Sequence, residues 1–252
     1  MSLCNLIAIG SLPDDPARKL LLSGKGTTLH KSPTGIHPIV TLVPCGQYTS
    51  HAIATEYKAQ IQEICGDKQF MGVSHGCEIV SHQLEMDHSK VMIKVDVKNA
   101  FNEIDPAAIL PYDLFLLVMS SVDIIFHDSC AGKTSVHKMT TGVPQGGSLS
   151  SALFDMGIAP SIRRAQLAHP TASIYLIADD NMVVGPPAEA IATVKTITLL
   201  LADVGLTFAT TTDSKNFIHG LGTQYTDAQR DLALASDLHW IRSSCRWYTY
   251  RK

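Results

Sequence analysis

Two short apolar runs, SIYLI (173–177) and NMVV (181–184), stand on either side of Ala178-Asp179-Asp180. Runs of this length are strand-sized, and a turn-tolerant break between them predicts a β-hairpin over 173–184. The pattern is restrictive. A hairpin with two apolar arms must be covered by other elements, and its tip then carries two adjacent carboxylates to the edge of a core. Asp-Asp is also ordinary turn chemistry, because both residues tolerate turn dihedrals. The pair gains meaning from what accompanies it.

A second strand-like run, VMIKVDV (91–97), is β-branched and apolar and places Asp96 at its end. Ionised carboxylates at the ends of buried strands are costly unless something offsets them. Asp96, Asp179 and Asp180 on neighbouring strand ends would repel one another without a cation. With one they form a hard oxygen site suited to Mg²⁺, or to Mn²⁺ in its place. Two such ions, roughly 3.5–4 Å apart, would clamp the attacking and leaving oxygens of an in-line phosphoryl transfer.

The remaining segments supply the frame. Residues 1–50 are rich in Gly, Pro, Ser and Thr, which predicts loops plus an extended piece over Ile39–Val43. Ile53, Tyr57, Ile61 and Ile64 have helical spacing, and residues 75–88 suggest a helix carrying Ile79, Val80 and Leu84. Residues 106–128 suggest a helix followed by an extended stretch. Ser148 is placed to cap a helix that runs past Pro160, and residues 187–203 form a helix ended by Gly205, with an extended LTFATTT beyond it. Strand, helix, helix, hairpin, helix, strand is an α+β order, with an antiparallel sheet and helices on one face.

Composition excludes other classes. No window approaches the 18 apolar residues of a membrane span, and the N-terminal stretch lacks the basic start of a signal peptide. The six cysteines form no CxxC pair and the eleven histidines no ligand spacing, so zinc and disulfide frameworks are not expected; the thiols point to an intracellular protein, the nucleus included. The 20 basic and 23 acidic residues give a net charge of −3, which by itself speaks against a nucleic-acid binder. That deficit concentrates in residues 96–185, with 5 basic and 9 acidic residues, where two Mg²⁺ would offset it.

KVDVKNAFNEI (94–104), TTGVPQGGSLSSALF (140–154), IYLIADDNMVVG (174–185) and GLTFATTTDSK (205–215) occur in that order. Together they resemble the successive palm motifs of reverse transcriptases, nearest to those of non-LTR retrotransposons. GKGTTLHKSPTGIHPIV and KQFMGVSHGCEIVSHQL, upstream, resemble the fingers segments of that family. The resemblance implies a polymerase palm with a ferredoxin-like antiparallel sheet over residues 91–220, partial fingers over 1–90, and a short tail over 221–252. About 37 residues follow Lys215, so the thumb is expected to be missing or truncated.

By the same resemblance Asp96 and Asp179 are the metal-binding aspartates and Asp180 their acidic neighbour. Phe101 crowds the 2′ position of the incoming nucleotide, Gln145 and Gly146 line the nucleotide and template pocket, and Gly142 lets the backbone approach bases closely. Lys215 assists the pyrophosphate leaving group. The implied partners are an RNA template, a DNA or RNA primer and dNTPs.

The sequence departs from the family in two places. Ile177 precedes Ala178-Asp179-Asp180 where an aromatic is usual, and His37 stands where the family has a triphosphate-gripping arginine, with Lys31 and Lys25 as nearby cations. These departures and the short tail suit an inactive, truncated retroelement product that still folds. An RNA-dependent RNA polymerase shares the chemistry, but it would carry Asp where Phe101 stands and Gly before the paired aspartates.

Overall fold

The chain is described from a computed structural model, which covers residues 6–7, 20–21, 23–31, 35–85, 91–109, 123–128, 132–208, 216–220 and 239–241. It divides into two units, Met1–Ile64 with Asn99–Gly157 and Cys65–Lys98 with Ile158–Lys252.

The first unit contains a four-stranded sheet in the order β2-β1-β4-β5, formed by β1 (Gly24–Lys31), β2 (Gly35–Leu42), β4 (Asp123–Asp128) and β5 (Lys133–Lys138). β1 and β2 are antiparallel, with Gly24 opposite Leu42 and Lys31 opposite Gly35, whereas β1 and β4 run parallel. The expectation of loops with one extended piece before residue 50 is corrected here. The glycines and lysines in GKGTTLHK lower the apparent strand signal, yet the pairing is regular. Pro38 lies opposite Thr28 on β2, and β2 is an edge strand, where a missing N–H costs no ladder bond on the open side.

Helices α1 (Pro44–Glu56) and α2 (Lys58–Cys65) replace the single helix expected over 51–64. Pro44 occupies the first turn, where its missing N–H is no loss. The interruption is one residue wide. Tyr57 N–H still donates to Ile53 O, and Ile61 N–H to Tyr57 O, so the hydrogen-bond ladder continues on both sides.

Two short helices, α4 (Ala100–Glu103) and α5 (Pro106–Ile109), follow the next strand. Only the latter is described from the helix expected after 106, and residues 110–122 lie outside the described residues. Helix α6 (Ser150–Ala168) passes through Pro160 as expected, and the division between the units falls within it. It begins at Ser150, and Ser148 serves another purpose: its hydroxyl accepts a hydrogen bond from Gln47 Nε2 at 2.8 Å. In the first unit's core, Ile104, Ile109, Val143, Leu149, Leu153, Phe154 and Met156 are almost wholly buried.

The second unit carries a five-stranded sheet in the order β6-β7-β3-β8-β9. Its strands are β3 (Val91–Asp96), β6 (Ser173–Ile177), β7 (Asp180–Gly185), β8 (Phe217–Gly220) and β9 (His239–Ile241). All neighbours are antiparallel except β8 and β9. The helix expected over 75–88 is α3 (Gly76–Glu85), and that over 187–203 is α7 (Pro187–Ala202), which packs against β3 and β7.

Because strand side chains alternate between faces, Ile93, Val183, Ile174 and Ile218 share one fully buried face by register. On the other face Met92, Met182 and Val184 pack with Val80 of α3. The tail expected over 221–252 contributes His239–Ile241 as the edge strand of this sheet.

Gly142 marks the tightest passage in the first unit. Its φ is +71°, its N–H donates to Ile104 O at 2.9 Å, and a β-carbon there would strike the backbone of Phe101 and Asn102. We expect Gly142→Ala to lower stability by roughly 2–4 kcal/mol, combining backbone strain with displaced main chain. Urea unfolding of the full chain checks this, and a loss below about 1 kcal/mol would show that the loop relaxes without cost.

Candidate active site

Strand pairing alone brings the carboxylates together. Asp96 ends β3, Asp180 begins β7, and the two are register partners. Directly opposed residues in an antiparallel pair point to the same face. Lys94, two residues before Asp96, and Met182, two after Asp180, therefore belong to that face as well. It passes from apolar (Met92, Met182, Val184) to charged (Lys94, Asp96, Asp180) within one step along each strand.

The hairpin tip is Ala178-Asp179, so Asp180 is the first residue of the return strand and does not lie in the turn. Ala178 holds φ +54°, in the left-handed region that costs a β-carbon-bearing residue roughly 1–2 kcal/mol. Asp179 follows it, half-buried.

The structure amends the charge argument. Lys94 Nζ lies 2.9 Å from Asp180 Oδ1, so a lysine on the same sheet face already offsets one carboxylate. The three aspartates do not depend on an external cation alone. In the sequence Lys94 stands out little, because it lies inside an apolar strand. The i, i+2 relation to Asp96 was the available signal.

The donor chemistry of this edge, carboxylate oxygen, fits a hard divalent cation. Asp96 and Asp179 are the residues that would hold it, with Asp180, paired with Lys94, as their acidic neighbour. Among the described residues, no group of three or more His, Cys, Asp or Glu side chains is placed to hold a metal. The backbone around the edge is pinned from both sides, since Asp96 N–H donates to Asn216 Oδ1 at 2.8 Å and Asn181 Nδ2 donates to Asp179 O at 2.9 Å.

The first unit assembles a second group. Phe101 of α4 is half-buried with its ring 5.1 Å from that of Phe154, and its carbonyl accepts the Val143 N–H at 2.6 Å. Packing against Phe154 shows a core role for this ring. Two residues past Val143, Gln145 O accepts the Val40 N–H at 2.7 Å, which ties the loop to β2. Gly146 adopts φ +112°, and a β-carbon there would strike Val40 O. Gln47 of α1, assigned no role from sequence, reaches the same loop through Ser148 Oγ and Gly146 O.

The other expected site residues are placed less fully. Lys31 ends β1 and His37 lies opposite Leu29 on β2, but their side chains are outside the described residues, as is Lys215 entirely. Ile177, opposite Asp180, packs with the Val80–Met92–Met182–Val184 cluster, so an aliphatic side chain serves the core there.

Residues 31–211 match the sequence profile of a family described as reverse transcriptase (RNA-dependent DNA polymerase). No curated protein matches the chain. Solved structures with a similar fold include telomerase from Candida albicans in complex with a fragment of telomeric RNA, at 13% identity and TM-score 0.58, covering 84% of this chain and 44% of that one. The BmCPV RNA-dependent RNA polymerase at its elongation state has 11% identity and TM-score 0.56, covering 85% and 22%. Apo telomerase from Candida tropicalis, truncated from its C-terminal domain, has 12% identity and TM-score 0.55, covering 85% and 52%. The chain spans about half, or less, of each of these proteins.

The Lys94–Asp180 pair is part-exposed, at 24% and 42%, so its own contribution to stability is at most about 1 kcal/mol. Replacing Lys94 by Met should therefore change the melting temperature little without metal. It should, however, enlarge the rise on adding MgCl₂, because Asp180 is then left without its lysine partner beside the other aspartates. Melting curves of parent and variant with and without Mg²⁺ measure the difference. An equal rise in both would mean that Lys94 does not offset the aspartates.

Proposed function

Because the chain belongs to the reverse transcriptase (RNA-dependent DNA polymerase) family, we propose that it carries out RNA-directed DNA synthesis of the non-LTR retrotransposon kind. Residues 91–220 act as palm and residues 1–90 as partial fingers. An RNA template, a DNA or RNA primer and dNTPs are the substrates, and the reaction takes place inside the cell. The observation that carries this reading is the pairing of Asp96 with Asp180 beside Asp179 in the turn.

In this reading Asp96 and Asp179 would hold two Mg²⁺ ions, or Mn²⁺, with Asp180 as their acidic neighbour. The ions, when bound, supply charge neutralisation at the reacting phosphate and its leaving group. The protein's own part is positioning. β3 and β7 fix the separation of Asp96 from the hairpin tip. Phe101, braced against Phe154, excludes a 2′-hydroxyl sterically, and Gln145 and Gly146 face the nucleotide and template from a loop tied to β2. Lys215 would place a cation near the departing pyrophosphate, and Lys31 and His37 would contact the triphosphate from the β1–β2 hairpin.

Primer extension on an RNA template by the full chain tests the proposal. We expect Mg²⁺-dependent incorporation of dNTPs, with Asp96→Asn and Asp179→Asn reducing it by roughly two orders of magnitude or more. Asp180→Asn should be milder, since its carboxylate is already paired with Lys94. Absence of extension by the parent protein, or full extension by Asp179→Asn, would overturn the assignment. Phe101→Ala should raise incorporation of ribonucleotides relative to deoxyribonucleotides, and an unchanged ratio would leave Phe101 with its packing role alone.

A further inference from the structure

The two-residue tip that carries Asp179 is held at both ends by side-chain amides from outside it. Gln69 Oε1 accepts the Ala178 N–H at 3.2 Å and also the Met71 N–H at 2.9 Å, which uses both lone pairs of one carbonyl oxygen. Gln69 is 6% exposed and lies 109 residues from Ala178 in sequence. Its backbone is equally constrained. Leu176 N–H donates to Lys68 O and Phe70 N–H to Leu176 O, both at 2.8 Å, so residues 68–70 run as a short parallel rung along β6. From the other side, Asn181 Nδ2 donates to Asp179 O at 2.9 Å.

Asn181 alternates to the sheet face opposite Asp180, among Val183 and its neighbours, and is 0% exposed. Its Oδ1 is buried and has no hydrogen-bond partner among the described residues. A half-satisfied amide at a fully buried strand position weakens the fold relative to an apolar residue of similar size. Stability does not account for it. What it does achieve is to fix the Asp179 carbonyl, and Gln69 fixes the Ala178 amide in a left-handed conformation that Ala does not favour unaided.

We propose that Gln69 and Asn181 are positioning residues for Asp179, acting as a two-sided clamp on the hairpin tip. Resting on the polymerase reading above, the clamp sets where the Asp179 carboxylate stands during nucleotidyl transfer. A displaced catalytic group lowers turnover more than substrate binding. Gln69→Met keeps the volume and removes the acceptor. Asn181→Val keeps the strand packing and removes the donor.

The test measures kcat, KM for dNTP and melting temperature of the full chain, with amide hydrogen exchange at Ala178 alongside. Both variants should lower kcat roughly tenfold or more with KM for dNTP changed by less than about twofold. Asn181→Val should do so without lowering the melting temperature. In an Ala178→Gly background, where the left-handed conformation is free of strain, the loss caused by Gln69→Met should shrink.

If the parent extends primers but kcat is unmoved, or falls only in step with the melting temperature, or Gln69→Met costs the same in both backgrounds, the clamp is refuted and the polymerase reading stands. If the parent extends no primer, that reading fails and hydrogen exchange decides the clamp alone. An Ala178 amide protected in the parent and exposed by Gln69→Met supports it, and equal exchange in the two overturns it.

Discussion

The antiparallel register of β3 against β7 is the constraint on which the second unit depends. Side chains alternate with a period of two, so pairing Val91 with Gly185 and Asp96 with Asp180 settles at once which residues enter the core and which remain at the charged edge. A slip of one residue would turn Lys94 and Asp96 toward the face now occupied by Ile93 and Val183. Burying those charges is far more costly than any gain in strand propensity. The burial of Ile93, Val183 and Ile174 thus places the aspartates as firmly as any polar contact does.

The chemistry-bearing segments are built from close backbone approaches. In the second unit the hairpin turns in two residues, with a left-handed Ala178 held by a distant glutamine. In the first unit Gly142 and Gly146 bring the Val143–Gln145 segment against the backbone of Phe101 and Val40. The two glycine passages leave no room for a β-carbon, and in all three places a carbonyl or amide of one segment is satisfied by another far along the chain. Such geometry suits a reaction that relies on placement and charge neutralisation.

Much of this was legible in the residues. The apolar arms around Ala178-Asp179-Asp180, the β-branched run before Asp96, and the helices over 76–85 and 187–202 carry strong local periodicity. The β1–β2 hairpin was not legible, because glycine and proline weaken the strand signal and only pairing restores it. Ser148 looked like a helix cap, yet its hydroxyl is taken by Gln47, a residue 101 positions away. Gln69 is hidden for the same reason, since it has no local pattern, and Lys94 shows only its i, i+2 spacing from Asp96; both act through partners that the fold brings near.

By itself, the sequence determined the identity and order of the chemical groups: three aspartates at strand ends, a phenylalanine after the first strand, and a Pro-Gln-Gly loop before a long helix. Local periodicity and turn chemistry are properties of neighbouring residues, so they survive in one dimension. The tertiary structure alone decided that Asp180 is answered by Lys94, that the tip is Ala178-Asp179, that Phe101 rests on Phe154, and that Gln69 and Asn181 grip the turn. Those outcomes depend on strand register and on contacts across tens of residues, and no local preference encodes them.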